Sequence, residues 1–285
     1  MNDTGTGNDL ARTLNWGGGY AEEKLSMILN KLLRASVVEL DRWLISIKEI
    51  DPKSDGESAN VEETAKHIKM NNYFSIGVDA EVALAFHNLR NEAPALCSSR
   101  LGNKFWYVVN GVKTMLGQIA LVDQFVQVEV DGKNCWLDEN IGAIIILNLP
   151  SYMGGADLWG PPKDSDEFKR PAINDKMLEI VAVTGSFHLV SLFPFCIATT
   201  TPFNCIGQAN VSINLASAIR LAQGSHIKIK FIKNQNLHVQ VDGEPWLQPP
   251  CEIEIGHLNQ VNMLKAANEE VEDEESFLDF EGTLF

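Results

Sequence analysis

The chain has 285 residues, a formal net charge of −15 and 45% hydrophobic residues, enough for one large domain or two smaller ones. Its five cysteines form no Cys-x-x-Cys pair and its six histidines no His-Glu-x-x-His motif, which excludes a disulfide scaffold and a zinc-hydrolase signature. Scattered cysteines point to reduced thiols in a cytoplasmic protein, and the acidic balance without a basic stripe excludes nucleic acid as an expected partner.

In chain order, Met1 to Asp9 shows no basic n-region followed by an apolar h-region, so no signal peptide is expected. Gly5-Thr6-Gly7-Asn8-Asp9 reads as a turn entering a helix, with Asn8 or Asp9 as N-cap. After the break at Gly17-Gly18-Gly19, Leu25, Ile28, Leu32 and Leu33 fall at helical spacing, which predicts an amphipathic helix from Ala21 to about Arg34. Val37–Ile45 reads as a strand and Lys53–Ala65 as a polar loop. Beyond Lys69 short apolar runs recur: Tyr73–Val78, Phe125–Val130, Ala143–Leu149, Leu178–Val183, Ile227–Ile232 and Leu237–Val241. Gly, Pro, Asn and Asp punctuate them, predicting a β-rich domain with one helix near Ala80–Asn91. From Glu269 to the end there are eight acids and no Lys or Arg, so a disordered, solvated tail is expected. The alternative for that tail is a protein-docking peptide at Phe277-Leu278-Asp279-Phe280.

Two short motifs bear on chemistry. A glycine turn before a helix can bind phosphate through free backbone N–H groups, although most such turns only redirect the chain. Asp242-Gly243-Glu244 follows a predicted strand, where Asp-Gly favours a type I′ hairpin turn. The same residues read as chemistry give a carboxylate able to take a hydroxyl proton, with a second carboxylate nearby.

Taken together, six segments resemble the diacylglycerol kinases. They are Gly5–Arg12 with Trp16-Gly17, Leu40–Trp43, Met70–Ala80, Ser99–Lys104, Asn148–Tyr152 continuing to Gly155–Gly160, and Val239–Trp246. The Gly155–Gly160 and Arg220–Ser225 stretches look closest to the theta class of that family. The resemblance implies a two-domain fold of the diacylglycerol kinase and NAD kinase type. Residues 1–69 would be an α/β remnant of the ATP-binding domain, 70–267 a β-sandwich-like accessory domain, and 268–285 the acidic tail. It further implies ATP and Mg2+ as cofactors and diacylglycerol at a membrane surface as the lipid substrate, with phosphatidic acid as product. Asp242 matches the family's general base, Glu244 the acid organising magnesium or nucleotide, and Gly5, Thr6, Asn8 and Asp9 the phosphate-side turn. Asp41 matches a carboxylate in a metal-water network and Asp175 a structural metal site, although Asn174 replaces the acid often found beside it. Asp79 and Asp157 lie in matching segments but read equally well as turn carboxylates held by backbone N–H groups.

The sequence departs from the family in two places. The family's Gly-Gly-Asp-Gly-Thr loop occurs nowhere in these residues, so the chain as written is expected not to turn over. Val190–Ile206 interrupts the family pattern and reads as an intron translated in frame, a surface loop or a membrane-inserting loop. No Asp, Glu, Lys or Arg occurs from Ile180 to Ile219, but two prolines, three consecutive threonines and no basic flank make a poor membrane span. A non-catalytic regulatory or binding fragment is the competing function, and a sphingoid-base or NAD kinase the third.

Overall fold

The computed structural model describes residues 8–19, 23–50, 65–92, 121–161, 167–184 and 218–267. The expected insert, the acidic tail, nearly all of the polar loop (residues 53–64), Gly5, Thr6 and the Ser99–Lys104 segment lie outside the described residues. Described strands, in chain order, are β1 (Ser36–Glu49), β2 (Lys66–Met70), β3 (Tyr73–Gly77), β4 (Val126–Val130), β5 (Lys133–Cys135) and β6 (Ile141–Leu147). They continue with β7 (Leu178–Thr184), β8 (Ile219–Gly224), β9 (His226–Phe231), β10 (Leu237–Val241), β11 (Glu244–Gln248) and β12 (Cys251–Lys265). The described α-helices are α1 (Asp9–Thr13), α2 (Leu25–Leu33) and α3 (Val78–Glu92).

The strands make two six-stranded sheets, one ordered β2-β1-β12-β9-β4-β5 and the other β11-β10-β3-β6-β7-β8. Alternating burial along β1 (Trp43, Ile45, Ile47) and β12 (Cys251, Ile253, Ile255) turns one face of the first sheet inward. That face shares a core with Phe74, Ile76, Ile144, Ile146, Ile180 and Val239 of the second sheet. β6 and β7 are almost wholly buried because both their faces are covered, which is why they read as continuous apolar runs. A second cluster, with Tyr73, Val82, Ile145, Tyr152, Trp159 and Val181, covers the other face of this sheet.

β1 pairs with β12 from Ser36↔Lys265 to Glu49↔Cys251, the longest ladder among the described residues. The boundary expected at residues 69/70 falls inside β2, and β1 on one side of it pairs with β12 on the other within one antiparallel sheet. A register shift between Arg42 and Trp43 interrupts the β1–β12 ladder beside the buried Asp41. The predicted helix over Ala21–Arg34 is present as Leu25–Leu33, shorter at both ends, and α3 closely follows the expectation. Helix α2 has no buried residue and exposes Leu25, Met27, Leu29, Leu32 and Leu33, the last 85% exposed. Among the described residues no helix is long and apolar enough to cross a membrane.

Candidate functional site

The β10–β11 hairpin turns through Asp242 (φ 51°) and Gly243 (φ 85°), the positive-φ pair of a type I′ turn. Left-handed backbone at Asp242 sets its side chain against the loop joining β2 to β3. There Oδ2 accepts hydrogen bonds from the Asn71 backbone N–H (2.9 Å) and Nδ2 (3.2 Å). Oδ1 accepts from the backbone N–H groups of Asn72 (2.7 Å) and Tyr73 (3.1 Å). Burial pushes the Asp242 carboxyl above its ordinary value, opposed by the N–H donors of Asn71, Asn72 and Tyr73. Asp242 as a whole residue is half-buried. Glu244 opens β11 and is exposed.

Asn148, at the end of β6 and 1% exposed, holds that loop in place. Its Nδ2 donates to Asn71 O (2.6 Å) and to Asp41 O (2.9 Å), its backbone N–H donates to Asn72 O (2.9 Å), and its Oδ1 accepts from Trp43 Nε1 (2.8 Å). With the Asn71 and Asn72 carbonyls bound on one side, the N–H groups of the same peptides, those of Asn72 and Tyr73, turn toward Asp242 on the other. Asp41 itself is fully buried: Oδ1 accepts from His257 Nε2 (2.9 Å) and Oδ2 from the Lys176 N–H (2.7 Å). Asp175, next to Lys176, accepts the Met177 N–H (3.0 Å); burial, and after it the nearby Asp41 charge, raise its carboxyl.

Asp9 and Asn8 do not form the expected cap. Asn8 has left-handed φ and no side-chain cap bond; its Nδ2 donates to Gly18 O (2.9 Å) instead. Asp9 lies in the first turn of α1, 5% exposed, and its Oδ1 accepts from Ser151 Oγ (2.6 Å) and Gly154 N–H (2.9 Å). In the next layer Asp79 is buried at the start of α3, where Oδ2 accepts from Ser75 Oγ, Tyr152 Oη (2.7 Å) and Gln240 Nε2 (2.8 Å). Burial raises the Asp79 carboxyl against those three donors. Asp157 accepts the Gly160 N–H (2.8 Å), the turn role read for it.

The segment from Asn148 to Gly154 thus touches three of these acids in turn: the Asp41 backbone, Asp9 and, through Tyr152, Asp79. Its Asn148 also reaches Asp242 by way of the Asn71–Tyr73 loop. Asn148, Ser151 and His257 are the residues that sequence reasoning did not single out. Asn148 carried a usable signal, an amide at the end of the apolar run Ile144–Leu147. His257 carried none, because its partner lies 216 residues away.

Magnesium is implied only through the family resemblance, and Asp41 with Asp175 does not fit as its holder. Both Asp41 oxygens already accept hydrogen bonds and one Asp175 oxygen does. Among the described residues no three His, Cys, Asp or Glu side chains gather to hold a metal ion.

Residues 69–200 match the diacylglycerol kinase accessory domain. The chain is 38% identical over 93% of its length to diacylglycerol kinase 1 of Arabidopsis thaliana, and 37% identical over 93% to diacylglycerol kinase theta of Homo sapiens. This chain is a relative of the diacylglycerol kinases. The chain spans 33% of the length of the first of those relatives and 26% of the second. A solved structure of a diacylglycerol kinase from Bacillus anthracis, named putative, superposes with a TM-score of 0.45 at 18% identity, over 88% of this chain and 63% of that one.

Proposed function

We propose that these residues serve an ATP-dependent kinase that phosphorylates the free hydroxyl of diacylglycerol to give phosphatidic acid, with Asp242 as general base. Identity of 37–38% over 93% of the chain to named diacylglycerol kinases carries the proposal, and the Asp242 hairpin is the local feature that suits it. The reaction needs the nucleophile's proton removed as its oxygen meets the γ-phosphorus. The hydroxyl proton goes to Asp242, the oxygen–phosphorus bond forms, and the bond from that phosphorus to ADP breaks, ADP leaving with the electron pair. Magnesium bound with the nucleotide would supply positive charge to the phosphoryl group being transferred. By the family resemblance Glu244, exposed two residues from the base, would organise the nucleotide or magnesium.

The two-domain reading of the fold belongs to the same proposal. The apolar side chains exposed along α2 (Leu25, Met27, Leu29, Leu33), and the exposed Val37 and Leu264, are of the kind an α/β nucleotide-binding half would cover. The test is phosphatidate formation by the protein expressed from its complete transcript, with ATP and diacylglycerol vesicles. Activity should depend on both substrates, and Asp242→Asn should lower kcat by about 10²–10⁴-fold. Normal turnover by Asp242→Asn would end the assignment of the base.

A second reading, a non-catalytic regulatory fragment, draws on one observation: these 285 residues contain no Gly-Gly-Asp-Gly-Thr loop to cradle phosphates. It predicts that the purified chain makes no phosphatidate while still associating with diacylglycerol-containing vesicles.

A further inference from the structure

An ionised carboxylate has about four in-plane lone-pair sites, two on each oxygen. Asp242 has four donors on it, so every site is taken: Asn72 and Tyr73 N–H on Oδ1, Asn71 N–H and Nδ2 on Oδ2. A base in that condition has no lone pair left for a substrate hydroxyl, and one donor must leave before it can accept a proton. Three of the four are backbone N–H groups. Two of their peptides are pinned from behind by Asn148, which donates to Asn71 O on the peptide that bears the Asn72 N–H and to Asn72 O on the peptide that bears the Tyr73 N–H, and the Asn71 N–H directly follows Met70, which is paired with Trp43 at the end of β2. Asn71 Nδ2 differs in each respect. It is the longest of the four contacts at 3.2 Å, it belongs to a half-buried side chain, and it can swing away by side-chain rotation without moving the backbone.

We propose that the Asn71 side-chain amide is a placeholder for the substrate hydroxyl: it occupies the Asp242 Oδ2 lone pair in the empty site and is displaced when diacylglycerol binds. This deepens the proposed function and rests on Asp242 being its base. The placeholder keeps the carboxylate of the half-buried Asp242 fully hydrogen-bonded between turnovers, when an unpaired buried acceptor would be costly. On displacement the hydroxyl donates to Oδ2 from the position the amide held, and the three backbone donors continue to hold the carboxylate in line. Asn71 is therefore a positioning residue.

The experiment uses the protein from its complete transcript, with diacylglycerol presented in phosphatidylcholine vesicles. Asn71→Ala removes the competitor, so KM for diacylglycerol should fall by about 3- to 10-fold. The acid limb of the kcat/KM profile should also move to higher pH, because a donor that stabilises the ionised carboxylate has gone. A merely structural loop residue would move neither readout in that direction. An unchanged or higher KM together with an unmoved acid limb overturns the proposal. Should Asn71→Ala not fold, Asn71→Ser, which shortens the donor out of reach, is judged on the same two readouts. Asp242→Asn is run in parallel. If it is inactive and Asn71→Ala shifts nothing, the placeholder fails and the base stands; if it is active, the base fails and the placeholder with it.

Discussion

Replacing Glu179 by glutamine isolates the energetic effect of one ionisable group in the core. Glu179 sits on β7, 1% exposed, and its Oε1 accepts a hydrogen bond from Gln223 Nε2 (3.0 Å) on the neighbouring β8. Burial pushes its carboxyl from 4.5 up to about 8, only partly offset by the Gln223 bond and reinforced by the Asp175 charge. Because the folded value is raised, the contribution to stability is complete below about pH 4.5 and is lost as pH climbs to about 8. At about 1.36 kcal/mol per pH unit the limit is on the order of 5 kcal/mol. Local relaxation and water penetration reduce such burial costs to several kcal/mol, so a gap of about 2–5 kcal/mol is expected. Glutamine keeps the acceptor for Gln223 and never ionises. Urea unfolding of the purified chain, followed by circular dichroism from pH 5 to 9, reads the difference. Glu179→Gln should be close to the parent at pH 5 and more stable by about 2–5 kcal/mol at pH 8.5. A difference independent of pH, or a variant less stable at pH 8.5, would refute the burial argument.

Asn148→Ala leaves the Trp43 Nε1 donor and the Asn71 and Asp41 carbonyls without their partner, and should cost about 3–5 kcal/mol in urea unfolding. Gly77→Ala places a Cβ 2.2 Å from Gly142 O at a φ of +119°, so it should destabilise by more than about 3 kcal/mol or prevent folding, visible as lost soluble yield and a lowered Tm. Leu33→Glu on the exposed face of α2 should leave the stability of the isolated chain within about 0.5 kcal/mol. The same change should lower the yield of active full-length kinase if a nucleotide-binding half covers that face.

The buried strands were legible where both faces are apolar: the runs Ala143–Leu149 and Leu178–Val183, interrupted only by Asn148 and Glu179, announce β6 and β7, although β6 runs from Ile141 to Leu147. β12 was not, although it shares the longest described ladder. Its inward residues Cys251, Ile253 and Ile255 alternate with acids, and then Gly256, Asn259 and Asn262 imitate a loop once the strand runs past the core. β2 hid behind Lys66, His67 and Lys69, whose spacing leaves only Ile68 and Met70 as strand signal. β11 carries Pro245, which lowers any strand expectation, but it is the edge of its sheet, where a missing N–H is tolerated. Asp41, Asp175 and Asp242 were named through the resemblance and their partners were not, because what holds these acids is set by register across the sheets and by loop contacts that no local pattern encodes. The cap expected at Asn8 or Asp9 failed for the same reason, since Asp9 finds its donors at Ser151 and Gly154.

Asp242 shows why the two readings of Asp-Gly-Glu need not compete. A type I′ turn demands positive φ at its first central residue, and Asp tolerates that conformation because its short side chain bonds nearby backbone. That requirement aims the carboxylate at the Asn71–Tyr73 amides, and Asn148 binds the carbonyls behind two of them, the Asn72 and Tyr73 amides. Turn geometry and carboxylate orientation are one constraint. A side chain held by backbone amides this way is positioned with little residual freedom, which suits proton transfer at a fixed distance. The same donors consume its lone pairs, so orientation and basicity are opposed, and only a donor that can leave reconciles them. Of the four, the Asn71 amide alone is not part of the backbone.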